Sequence, residues 1–257
     1  MKKVMVISHE RSGTSFLINA IGMNFPDYLP EADAEGTLQR VDLDGNGWNF
    51  ADPDEMLKFL SDSRFHDMPI ANVFKSHHTR HYFDEVWDYL QEQFHVFYIY
   101  RDGRDVMASY WRHVRKQGFL WGPMAFTVGE FMRADPVGAC CRYLGPMPPG
   151  NMVQRWNDHV MSWLKYNLPG VCRISYEQLS ENFDTMIEKI SVHLEVAPPE
   201  NIIQPGVGGV HPGKGIVGGW RDHFIDGDSS FFDDQARVAT ELIRNVDHAE
   251  LSGVVNV

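Results

Sequence analysis

Cysteine is scarce in this chain of 257 residues. Cys140, Cys141 and Cys172 form an odd set without a CxxC pair, which gives no basis for a disulfide framework or a structural zinc site. Three free, buried thiols are expected. Positive charge is also in short supply: 23 Lys and Arg stand against 35 Asp and Glu, a formal net charge of −12. That balance disfavours nonspecific binding to nucleic acid or to an anionic membrane surface, so any anion site must be a local basic pocket. Long apolar runs are missing too. The longest, over 94–100, falls far short of the roughly 20 residues a membrane-spanning helix needs. After Met1, Lys2 and Lys3 only residues 4–7 are apolar before Ser8, His9, Glu10 and Arg11, too short a stretch for a secretory signal. A cytoplasmic location is expected. No internal repeat or low-complexity tract occurs.

What is present fits one α/β domain over 1–257, with 43% hydrophobic residues, enough for a proper core. Strands are expected over 4–7, 70–74, 94–100 and 171–174, the third being the strongest by its β-branched and aromatic content. Helical spacing begins at Thr14 and recurs over 53–61, 83–91, 105–115, 128–133, 152–168, 176–194 and 232–246. Residues 25–52 and 118–150 are rich in Gly, Pro, Asp or Asn and read as surface excursions. The alternation predicts a central, mainly parallel sheet flanked by helices, with ligands bound beyond the carboxyl ends of the strands. Three polar clusters fall there, and the Gly-rich 211–219 segment is expected to close over them.

The first cluster, Ser8 to Ser15, sets small residues and Arg11 between a strand and a helix N-terminus, where amides, hydroxyls and the helix dipole make a phosphate cradle. It is not a Walker A loop, because Gly13 stands where that motif requires Lys. The third cluster puts Arg101 at a strand end and Ser109 two turns into the next helix, both able to address one anion. The second cluster is Lys75-Ser76-His77-His78-Thr79. An imidazole there has the unperturbed pKa, near 6.5, that suits a general base.

RSGTS after the first strand, YRDGRDVMASYW after a later one and KGIVGGWRDHF near the end resemble, in order and spacing, the sulfotransferases that use 3′-phosphoadenosine 5′-phosphosulfate (PAPS). FTVGEFM, the helix around Trp156 and Trp163, and ISYEQL extend the resemblance over nearly the whole chain. It implies a P-loop-like sulfotransferase fold and PAPS as co-substrate without a metal. Arg11, in place of the more usual Lys, then clamps the 5′-phosphosulfate together with Ser12, Gly13, Thr14 and Ser15. Phe16 stands where many cytosolic members carry a Trp that stacks on adenine, and Tyr176 matches a residue near that base. Arg101 and Ser109 match the pair that holds the 3′-phosphate. Lys214 and Gly215 match part of the late RKGxxGDW motif, from which the chain departs with Gly213 for Arg and Gly219 for Asp. Lys75 and His77 match the catalytic Lys and His of the family, so His77 becomes the base while Lys75 and Arg11 stabilise developing charge.

The acidic chain is poorly suited to a polyanionic acceptor, which favours the hydroxyl of a small phenol, alcohol, lipid or natural product, with an amine acceptor left open. Trp48 and Trp121, in loops, are candidates for its pocket, whereas Trp111, Trp156 and Trp163 lie at apolar helical spacing and read as core. Glu10 is a rival base. A zinc or iron site at His77, His78 and His81 is disfavoured because neighbouring side chains in an extended segment diverge. Two rival functions stay open: a small-molecule or nucleotide kinase with Asp102 as its acidic partner, and a noncatalytic nucleotide-binding protein on the same fold.

Overall fold

The structure is a computed structural model, described over residues 2–28, 41–42, 57–58, 60–61, 72–143, 149–166, 168–206 and 215–251. Five parallel strands form one sheet: β1 (Lys3–Ile7), β2 (Val41–Asp42), β3 (Val73–Ser76), β4 (Phe94–Tyr100) and β5 (Val171–Ser175), in the order β2-β3-β1-β4-β5. Around it lie α1 (Thr14–Asn24), α2 (Trp87–Gln93), α3 (Gly103–Gln117), α4 (Val128–Arg133), α5 (Met152–Leu164), α6 (Tyr176–Glu181), α7 (Phe183–His193) and α8 (Asp228–Leu251).

Side chains alternate across the sheet. Val4, Val6, Val73, Phe97, Ile99 and Ile174 pack with α1 and α7 on one face. Met5, Ile7, Phe74, Val96, Tyr98 and Tyr100 pack with α2, α3, α5 and α8 on the other. Every residue of β4 is buried, as a central parallel strand covered on both faces requires. The helix after β1 covers one face and the helix after β4, its neighbour, covers the opposite one. Their loops therefore part at the carboxyl edge and leave the crevice in which open α/β sheets bind ligands.

Several sequence expectations shift. The second strand lies at Val73–Ser76 instead of 70–74, because its ladder to β1 runs from Val4 opposite Val73 to Ile7 opposite Ser76 and carries the polar Lys75 and Ser76 into the sheet. His77 is thereby the first residue beyond the strand. The excursion over 25–52 contributes an edge strand, β2, paired to β3. The helix expected over 83–91 is a 3-10 helix, Arg80–Val86, followed by α2. The single helix expected over 176–194 breaks at Asn182, whose φ of −125° and ψ of 50° are not helical. Of the three thiols, Cys140 and Cys172 are buried and Cys141 is exposed. Trp156 and Trp163 are core, as expected, and Trp111 is half-buried.

Candidate active site

The loop after β1 is built by two residues in the left-handed region, Arg11 at φ 66° and Gly13 at φ 102°. At Gly13 a Cβ would lie 2.3 Å from Tyr176 Cδ2, so only glycine lets the loop pass this close to α6. The Ser12 amide donates to the His9 carbonyl at 3.2 Å, and Ser8 Oγ lies 2.6 Å from Thr14 Oγ1. Among the described residues no side chain caps α1, and no acidic residue sits in its first turn, which leaves its orphan amides and positive dipole end suited to an anion. Phe16, half-buried, meets the Tyr176 ring edge-on at 6.0 Å.

The loop after β4 joins this one through Arg11, whose Nε donates to Ser109 Oγ at 3.2 Å. Burial, with the neighbouring cations Arg101 and Arg112, pushes the Arg11 guanidinium below its ordinary pKa, a crowding of like charge that an anion relieves. Arg101 is buried, with its guanidinium 4.2 Å from the Tyr176 ring centre and Nη2 donating to the Ile216 carbonyl at 3.0 Å. Gly215 accepts from the Tyr176 hydroxyl at 2.8 Å. Asp105, not singled out from the sequence as a site residue, anchors this late segment by accepting the Gly218 amide at 2.7 Å and the Trp220 amide at 2.9 Å. Arg11, Ser12, Gly13, Phe16, Arg101, Ser109, Tyr176 and Gly215 thus come together. Lys214 and Trp48 lie outside the described residues.

Two buried donors at this place, Ser12 Oγ and Arg101 Nε, have no hydrogen-bond partner among the described residues. A phosphate group fits them, since both are donors, Ser12 precedes α1, and Arg101 lies over the Tyr176 ring against which Gly13 packs.

Beside the first loop stands His77. Its Nδ1 donates to the Ser8 carbonyl at 2.8 Å, which fixes the tautomer and leaves Nε2 as the basic nitrogen. Lys75, half-buried, is opposite Val6 in the ladder and so on the α1 face of the sheet. His78 turns away: its Nδ1 is 2.9 Å from Ser76 Oγ and its ring stacks on Tyr82 at 3.7 Å, while His81 is exposed. Trp121 is 47% exposed, and its carbonyl accepts weakly from the Tyr110 hydroxyl at 3.4 Å.

Glu10, the rival base, is committed elsewhere. Its Oε1 accepts from Arg155 Nη2 at 2.6 Å and from the Tyr110 hydroxyl at 3.1 Å. Burial alone would raise its pKa, but the Arg155 guanidinium outweighs this and holds the carboxyl well below the usual carboxylate range. A carboxylate so held is a poor proton acceptor.

Burial also pushes the His9 imidazole down to about 3, with Arg155 adding to the effect and Glu10 opposing it. His193 falls to about 4, chiefly by burial. Folded pKa values below the unfolded value of about 6.5 mean that the unfolded chain binds protons first as pH falls. The stability these groups contribute is present above pH 6.5 and is lost toward pH 4. For His9 alone the loss at pH 5 is about 2 kcal/mol by linkage. Urea midpoints between pH 7.5 and 4.5 should fall steadily; a flat profile would show that these imidazoles titrate alike in both states.

The sulfotransferase domain family matches residues 1–206, and the chain belongs to that family. It is a sulfotransferase. Among solved structures, mouse sulfotransferase SULT7A1 complexed with PAP aligns with a TM-score of 0.62 at 18% identity, covering 96% of this chain and 89% of that one. Retinol dehydratase, in complex with androsterone and the inactive cofactor PAP, aligns at 0.59 with 17% identity, covering 92% and 80%. Both share the fold. No curated protein matches in sequence.

Proposed function

We propose that this chain takes PAPS as sulfuryl donor and sulfates the hydroxyl of a small-molecule acceptor in one in-line step, with His77 as general base. The observation that carries this reading is the Arg11–Ser109 contact, which joins the first and third loops beside the unpartnered donors Ser12 Oγ and Arg101 Nε. When bound, PAPS supplies an activated sulfuryl group on a phosphate leaving group.

Arg101 and Ser109 would hold the 3′-phosphate, with Tyr176 and Phe16 against the adenine. The amides of Gly13, Thr14 and Ser15, together with Arg11, would hold the 5′-phosphosulfate. His77 Nε2 would take the acceptor's hydroxyl proton as the new oxygen–sulfur bond forms. Lys75 and Arg11 would offset the negative charge gathering on the leaving phosphate oxygen, a fixed electrostatic contribution that needs no rearrangement during the step.

The kinase alternative draws no support from Asp102. Its side chain caps α3 by accepting the Arg104 amide at 2.8 Å and pairs with the Arg104 guanidinium at 3.5 Å. Calorimetric titration with PAP, against ATP and magnesium as a control, is the direct test. Micromolar binding of PAP alone is expected; preference for magnesium ATP would favour the kinase. Binding without turnover of PAPS on any phenol or alcohol would favour a noncatalytic protein.

A further inference from the structure

One face of α5 ties down the loops after both β1 and β3. Arg155, His159, Ser162 and Trp163 follow at intervals of four, three and one residues, the spacing of a single helix face, and all four are buried. Arg155 donates to Glu10 and to His9 Nε2, the latter at 2.7 Å, and so holds the two residues that precede Arg11. Ser162 Oγ receives the Arg80 amide at 3.1 Å, and Trp163 Nε1 donates to the His78 carbonyl at 3.1 Å.

Between these contacts, His159 reaches the proposed base itself. Its Nε2 lies 3.1 Å from the His77 carbonyl and its Nδ1 lies 3.2 Å from the Tyr98 hydroxyl. A carbonyl oxygen can only accept, so His159 carries a proton on Nε2. The His77 ring is anchored separately, through Nδ1 to the Ser8 carbonyl. Backbone and ring of His77 are therefore held from two sides, by α5 and by the first loop, and a base that must meet its proton within hydrogen-bond reach depends on both. Displacement of a reacting group by 1 Å costs on the order of 10²-fold in rate.

We infer that His159 is a positioning residue for this sulfotransferase: by fixing the His77 carbonyl from α5, it sets where His77 Nε2 meets the acceptor hydroxyl. The inference rests on the reading of His77 as base. An ordinary core position would be served as well by an apolar side chain of similar size. The donor facing His77 distinguishes the two roles.

The test compares His159→Leu, which removes the donor, with His159→Gln, whose amide can restore one near the Nε2 position. Turnover of PAPS is measured with the phenol or alcohol that the unaltered protein uses fastest, and is normalised to PAP-binding sites counted by calorimetry. His159→Leu is expected to lower kcat per site at least tenfold while Kd for PAP stays within twofold, and His159→Gln to recover most of the loss. Should His159→Leu fail to fold, Trp163→Phe removes the adjacent donor to the His78 carbonyl and is expected to lower kcat per site at least threefold. Unchanged kcat per site in the variant that folds, or equal impairment in the Leu and Gln variants, overturns the positioning role alone. An unaltered protein that binds no PAP, or that binds it without turnover on any acceptor, overturns the reading beneath it.

Discussion

His77→Ala is expected to lower kcat by roughly 10²- to 10⁴-fold, the usual contribution of a positioned general base, while leaving PAP affinity within a few-fold. The expectation follows from the tautomer. Nδ1 is engaged with the Ser8 carbonyl, so the ring presents its lone pair only at Nε2. No other described group nearby can take over: Glu10 is held ionised by Arg155, His9 is kept neutral by burial and accepts from Arg155, and His78 is stacked on Tyr82 and bonded to Ser76. Removing the ring also leaves the Ser8 carbonyl without this donor, at a cost of about 1 kcal/mol in stability. Thermal melts and PAP titration on the same preparation separate that small loss from the kinetic one. Full turnover in His77→Ala would remove His77 from the mechanism.

Arg101→Ala is expected to act on binding instead. A charge-assisted hydrogen bond contributes about 1.5 to 3 kcal/mol, so Kd for PAP should rise by roughly 10- to 150-fold. Arg101 does more than supply charge: it packs over the Tyr176 ring and donates to the Ile216 carbonyl, tying the residues after Gly215 to the end of β4. It also lies 3.6 Å from Asp105 Oδ2, whose carboxylate accepts the Gly218 and Trp220 amides. Arg101→Lys keeps the charge but not the planar fork, and should recover only part of the affinity. The chain carries Gly213 where the family motif has Arg, so the contribution of Arg101 to 3′-phosphate binding should be large. Unchanged affinity in Arg101→Ala would undo the assignment of the 3′-phosphate to this loop.

Much of the site is legible along the chain because its motifs are local. The apolar run ending at Ile7, the Ser-Gly-Thr-Ser turn and the start of α1 are contiguous, and so are β4, Arg101 and the helix that carries Ser109. Burial on both faces makes β4 an unbroken run of apolar and aromatic residues with one histidine, whose meaning does not depend on its partners. The true span of β3 is not legible in this way. Lys75 and Ser76 lack strand character of their own and become strand only because β1 offers them a ladder. Asp105 illustrates the same limit: within YRDGRDVMASYW it looks like one member of a charged run, yet in the fold it is buried and serves amides 113 and 115 residues away.

Sequence alone suffices for the alternating α/β order and for the candidacy of the loops after β1 and β4 as phosphate sites and of His77 as base, since each depends on neighbours within a turn or two. Not legible without the tertiary fold are the engagement of His77 Nδ1 with the Ser8 carbonyl, the commitment of Glu10 to Arg155, and the contacts by which His159 and Arg155 brace the two loops. Those contacts are made by pairs 69 to 146 residues apart in the chain, and no local periodicity records them. They follow from how a buried polar group finds its partner once water is excluded, and that partner is set by the packing of α5 against the sheet.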